Sequence, residues 1–252
     1  AVISETGGSR SVEKVGSGTM TFAGNNSYNG ATILTAGTLS VSSDGAGAYN
    51  LGATTGNNGI TPNGGTLQIT GTAMTSFGSH TPTFTATKTV GLDIANAANN
   101  FTVSQTLNQT TGQLIKTGAG TLTLSGANTY TGGTRANAGT LVLSGSHTKA
   151  AGTTDFLSVN NVGAQNAVLK VTAGTHGFTD INLAEVANAR GAIYQSGGDL
   201  STGTTGGIGI KVGSGATTYG YYNLSGGTLT LPQALDFQVG GGSGATGVMD
   251  VS

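Results

Sequence analysis

The 252-residue chain has no cysteine, no tryptophan and only three prolines, and just 8% of its residues are charged. Without cysteine there can be neither disulfides nor thiolate metal sites, which suits either side of a membrane and also suits export in an unfolded state. Formal net charge is −1 and like charges form no run, so neither a phosphate-binding footprint nor a polybasic membrane patch is available. Nucleic acid is excluded as a partner on that basis. No stretch approaches the roughly 18 consecutive apolar residues of a membrane-spanning helix, so no transmembrane segment is expected. The opening Ala1-Val2-Ile3-Ser4-Glu5 lacks the basic and apolar regions of a signal peptide, and the chain reads as mature or excised.

What is abundant is glycine, with 46 residues, and threonine, with 43. Average glycine usage is about 7%, and such a composition describes a disordered chain unless a structural period organises it. A period is present. Lys14 to Ser42 reads KVGSGTMTFAGNNSYNGATILTAGTLSVS and aligns without a gap to Lys116 to Ser144, KTGAGTLTLSGANTYTGGTRANAGTLVLS. The shared residues include Gly16/Gly118, Gly18/Gly120, Asn26/Asn128, Tyr28/Tyr130, Gly37/Gly139 and Leu39/Leu141.

A shorter repeat fills the C-terminal part. Leu157, Ile181, Ile210 and Phe237 correspond, as do Val159, Leu183, Val212 and Val239, and Ala167, Gly191, Gly220 and Gly247 follow at a constant offset. Within both repeats apolar residues alternate with hydroxyl residues, as in Met20-Thr21-Phe22, Leu122-Thr123-Leu124 and Leu229-Thr230-Leu231. That is strand periodicity, with the apolar side inward. The runs are short and bounded by Gly, Asn and Ser, the residues that accept turn geometry. Ile181 to Arg190 has the look of a short helix, but its register against Ile210 and Leu157 predicts strand and turn.

Short strands recurring in this way predict an all-β, single-stranded parallel β-helix of roughly nine coils of about 24–29 residues, about 45 Å long at the inter-strand spacing. One coil cannot bury its apolar face, and a stack of coils can. Residues 1–252 are expected to form one continuous β-helix. Residues 12–145 hold the two long repeats with an irregular insert near 70–113, and 155–252 hold the shorter repeats. Ser252 aligns with Ser225, ahead of an expected Gly-Gly-Thr-Leu. The chain therefore reads as a piece of a longer array, or as a subunit whose ladder a neighbouring copy continues end to end.

Both long motifs resemble the autotransporter-associated β-strand repeat, also called the passenger-associated transport repeat. They share its Gly-x-Gly-Thr-[Leu/Met]-Thr-x-x-Gly-x-Asn-x-Tyr-x-Gly-x-Thr signature and its trailing Ala-Gly-Thr-Leu-x-[Val/Leu]-Ser. The resemblance implies a right-handed β-helix in an exported, cell-surface passenger of a Gram-negative-type bacterium, located outside the outer membrane.

Catalytic chemistry is sought among the acids: Glu5, Glu13, Asp44, Asp93, Asp155, Asp180, Glu185, Asp199, Asp236 and Asp250. Only Asp180 and Glu185 are neighbours in sequence, and no pair at the roughly 5 to 9.5 Å separation of a glycosidase can be built by register. Solvated turn positions are expected for the acids. His80, His147 and His176 have no partner at metal-ligand spacing and read as surface-loop histidines. Gly242-Ser243-Gly244-Ala245-Thr246-Gly247 satisfies a dinucleotide pattern formally but has no helix after it. No catalytic, cofactor-binding or metal-binding residue is predicted, and no cofactor.

Two features remain for binding. Tyr194, Tyr219, Tyr221 and Tyr222 fall together by register and could meet sugar rings, with core or ladder packing as the simpler reading. Columns of outward Thr and Ser are sufficiently explained by solubility. The expected role is a non-enzymatic stalk, fibre or adhesin scaffold of a surface protein. The rival readings are a carbohydrate-binding adhesin and a carbohydrate-active β-helix enzyme, and glycans or a host surface are the candidate partners. With so few charges, unfolding is expected to depend weakly on salt and pH.

Overall fold

The structure is a computed structural model that describes residues 2–44, 49–53, 59–84, 87–108, 111–148, 155–203, 208–232 and 236–252. All its regular elements are strands. The first repeat gives β1 (Val12–Lys14), β2 (Thr19–Phe22), β3 (Thr32–Leu34) and β4 (Thr38–Val41), followed by β5 (Ile60–Pro62) and β6 (Thr66–Ile69). Next come β7 (Val90–Ile94) and β8 (Asn100–Val103). The second repeat supplies β9 (Leu114–Thr117), β10 (Thr121–Leu124), β11 (Ala127–Asn128), β12 (Thr134–Ala136), β13 (Gly139–Leu143) and β14 (Ser146–His147). The C-terminal repeats give β15 (Leu157–Val159), β16 (Asn166–Val171), β17 (Thr175–Phe178), β18 (Ile181–Leu183) and β19 (Arg190–Thr202). They end with β20 (Ile208–Val212), β21 (Tyr219–Thr230), β22 (Asp236–Val239) and β23 (Thr246–Val251).

Every pairing between these strands is parallel and joins one coil to the next, which makes the fold a parallel β-helix. One ladder runs β2-β4-β6-β7-β9-β12-β15-β18-β20-β22, ten rungs deep. Rung spacing runs from 19 residues, Thr19 to Thr38, to 29, Ile181 to Ile210. The shortest coils lie inside the long repeats, where the 30-residue motif holds two rungs joined by tight glycine turns.

The columns anticipated from sequence are present. Leu157, Ile181, Ile210 and Phe237 lie in single file, beside Val159, Leu183, Val212 and Val239. On a second ladder Phe101, Leu122, Leu141, Leu169, Ile193, Tyr222 and Met249 form another. The first six of these are fully buried. Parallel pairing places like side chains over like, so apolar alternation within each short strand becomes continuous apolar columns through the stack.

Segment 70–113 looks irregular in sequence, but it supplies β7 and β8 and carries the ladder onward. It also turns the repeat by one face. In the first copy β2 and β4 occupy the ten-rung ladder, beside a separate β1-β3-β5 ladder. In the second copy the equivalents of β1 and β3, namely β9 and β12, occupy the ten-rung ladder instead. The equivalents of β2 and β4, β10 and β13, move to the next face. The handover occurs where β6 pairs with β7 and β7 pairs with β9.

Candidate functional site

The residues shared by the long repeats are structural devices. Lys14 and Lys116 occupy inward positions, and Lys116 stands in a column between Leu92 and Ala136. The Lys116 ammonium donates to the carbonyls of Thr117 (2.6 Å), Gly118 (2.8 Å) and Ala138 (3.1 Å). Lys14 repeats this with Val15 (2.8 Å), Gly16 (2.7 Å) and Ala36 (3.1 Å). Each lysine therefore ties its own glycine turn to the turn of the next coil. Burial pulls the Lys116 ammonium down to about 8, opposed by Asp93.

Asn128 accepts the Leu107 amide proton and donates to the Gly126 carbonyl, while Asn26 accepts from Ile3 and donates to Asn50. The buried Tyr130 and Tyr28 hydroxyls bond the hydroxyls of Thr134 and Thr32. Burial pushes the Tyr28 phenol up to about 12. None of these side chains is free to meet a ligand.

The histidines depart from the surface-loop expectation. His80, His147 and His176 are all buried. His147 and His176 stack in register with Asn128 and Leu200 on the inward side of a third face. His147 sits 4.5 Å from the Tyr130 ring and 4.9 Å from the Phe178 ring, with its Nε2 2.5 Å from Asp155. His80 Nε2 lies 2.7 Å from Asp44. Asp44 and Asp155 are therefore interior partners and not solvated turn acids. Sequence reading missed them because no apolar alternation surrounds these positions and no strand or ligand spacing links His80 to Asp44 or His147 to Asp155.

His176 donates from Nε2 to the Ala173 carbonyl, and burial holds its basicity below the ordinary imidazole value, with His147 adding to the depression. This changes the pH half of the stability expectation. Below about pH 6.5 the unfolded chain binds a proton at this position more readily than the folded one, so stability falls as pH falls. Denaturation midpoints measured from pH 7.5 to 5.5 are expected to drop, and His176→Gln, which retains a donor, is expected to flatten the slope. An identical slope in the variant would remove His176 as the cause.

Asp180 is raised by burial and then by Glu185, and Glu185 pairs with Lys211 at 3.6 Å. Two cavities of about 550 and 450 Å³ open on the surface, and neither is lined by a carboxylate. Among the described residues no three His, Asp or Glu side chains converge in a metal-like cluster.

The four tyrosines divide. Tyr222 is core, its hydroxyl donating to Gln195 Oε1 at 2.5 Å. Tyr194 and Tyr219 are 41% and 47% exposed, and with Tyr221 they line the 450 Å³ groove. Alternation explains the split: on β21, Tyr219 and Tyr221 point outward while Gly220 and Tyr222 point inward. Tyr194 and Tyr221 rings lie 5.7 Å apart, and Asp250 accepts from both Tyr221 and Asn223 at 3.2 Å.

These observations define a repeat-built parallel β-helix whose apolar interior holds a few bonded polar side chains, with an aromatic groove exposed among the described residues. The family model of the passenger-associated transport repeat matches residues 12–41 and 114–143, the two long copies. A stretch of 129 residues, half of the chain, is 40% identical to the adhesin BmaC autotransporter of Brucella suis biovar 1 (strain 1330), spanning 4% of that protein. The chain thus carries two passenger-associated transport repeats and is similar over half its length to a segment of an autotransporter adhesin. No solved structure matches it significantly.

Proposed function

We propose that this chain is a non-enzymatic scaffold segment of an exported surface passenger, carried across a bacterial outer membrane and holding more distal parts of an adhesin away from the cell. The observation that carries the reading is the use made of the repeat residues. Lys, Asn and Gly at the shared positions join one coil to the next, and Tyr braces its own coil through Thr, so the motif serves extension of the rod. The similarity to a segment of an adhesin autotransporter supports the surface setting. Neither of the two cavities holds the paired carboxylates that a polysaccharide hydrolase of this architecture would need.

The test is display of the native full-length protein on its own cells. Protease added to intact cells is expected to remove epitopes of this segment while a periplasmic marker survives. Protection until the outer membrane is opened would refute the reading. Release of reducing or unsaturated ends from a polysaccharide panel by the purified chain would refute its non-enzymatic part.

A further inference from the structure

We propose that the groove lined by Tyr194, Tyr219 and Tyr221 binds uncharged pyranose oligosaccharides. Three features of the outward face of β16, β19, β21 and β23 carry this.

The first is shape. Outward columns run Val168-Ala192-Tyr221-Val248 and Lys170-Tyr194-Asn223-Asp250, flanked by Asn166-Arg190-Tyr219-Thr246. Ala192 is the small residue among large ones, and it forms the floor from which the three rings rise. The cavity of about 450 Å³ lies within the size of ordinary small-ligand sites.

The second is contrast with the coils beneath. The same columns begin as Asn100-Thr121-Thr140 and Thr102-Thr123-Val142. Short hydroxyl side chains make that part of the face flat, and the aromatic residues are confined to two successive coils. Neither core packing nor ladder formation requires them there, since Tyr194, Tyr219 and Tyr221 all point away from the core.

The third is chemistry at the rim. Arg190 and Asn166 line the groove as donors, while Asp250 is an acceptor already held against Tyr221 and Asn223. A pyranose ring presents an apolar face to stack on an aromatic ring and a fringe of hydroxyls that both donate and accept. Rings with mixed donors and acceptors match it. Lys170 begins the column that Asp250 ends, and Arg190 stands in a flanking column, so the face carries charges of both signs rather than the dense positive patch that would select a polyanion.

The experiment uses intrinsic tyrosine fluorescence, which no tryptophan obscures in this chain, together with saturation-transfer NMR. The probes are cellohexaose, maltohexaose and chitohexaose, with a heparin-derived hexasaccharide as the anionic arm. At least one neutral hexasaccharide is expected to bind in the micromolar to millimolar range, with little change between 50 and 500 mM salt. Tyr219→Ala/Tyr221→Ala is expected to weaken it at least tenfold, and Ala192→Arg, which fills the floor, to do the same with the tyrosines intact. Tyr219→Phe is expected to retain binding, because it keeps the stacking ring. No binding of any neutral probe overturns the proposal. So does binding unaffected by both the double variant and Ala192→Arg, or salt-sensitive binding confined to the heparin fragment. The scaffold reading survives each of those results, since surface display is measured separately.

Discussion

Replacing Lys116 with methionine is expected to lower stability by about 1.5–3 kcal/mol, because half-buried acceptors lose their charged donor. For a chain of this size that is a fall of about 3–12 °C in thermal midpoint. Methionine approximates the length of the stem and fills the column between Leu92 and Ala136, so little packing is lost. What is lost is the charged donor to three carbonyls, those of Thr117, Gly118 and Ala138. Exchanging a buried ion pair for apolar residues is often neutral because both partners leave together. Here the acceptors are backbone and remain.

The pH dependence gives an independent readout. The folded ammonium titrates near 8 and the unfolded one near its ordinary 10.5. Between those values the unfolded chain binds the extra proton, so wild-type stability rises with pH across that window. The methionine variant lacks that rise, and its deficit should widen from pH 8 to pH 10. Denaturant midpoints equal for the two proteins at pH 7 would show that the carbonyl cradle contributes nothing.

Gly139→Ala is expected to cost about 2–5 kcal/mol, the sum of a left-handed backbone penalty and an overpacking penalty. Gly139 has φ +64°, and a Cβ there would lie 2.4 Å from the Gly118 carbonyl oxygen. Gly37 in the first repeat has φ +67° and the same 2.4 Å approach to Gly16. Gly16→Ala separates the two terms: φ is +72°, but the space is open, so only about 1–2 kcal/mol is expected. Thr140→Ala, next door but in regular strand, should stay within about 0.5 kcal/mol. If Gly139→Ala and Gly16→Ala cost the same, turn-on-turn contact is not what demands glycine.

The register of the apolar columns was legible because it needs only alternation within a strand and a constant offset between strands. Leu157, Ile181, Ile210 and Phe237 satisfy both. Lys116 was not legible as a core residue, since a charge is expected outside, although its parity with Leu114 marks it as inward. His147 and Asp155 were missed because their pairing depends on the path of the third face, where strands are two to four residues long. The tyrosine cluster was visible by register, and strand alternation alone separates buried Tyr222 from the three outward rings. The change of face between β6 and β9 was not legible, because alternation within a strand is the same whichever face the strand occupies.

That change of face has a consequence for how the rod meets its surroundings. The outward threonines of the two long repeats, Thr19 and Thr21 against Thr121 and Thr123, look out from different faces of the rod, one pair from the ten-rung ladder and the other from the ladder beside it. Identical motifs thus present near-identical epitopes to different quarters. An antibody docked on one copy, or a flat surface lying against it, leaves its twin turned aside and uncovered.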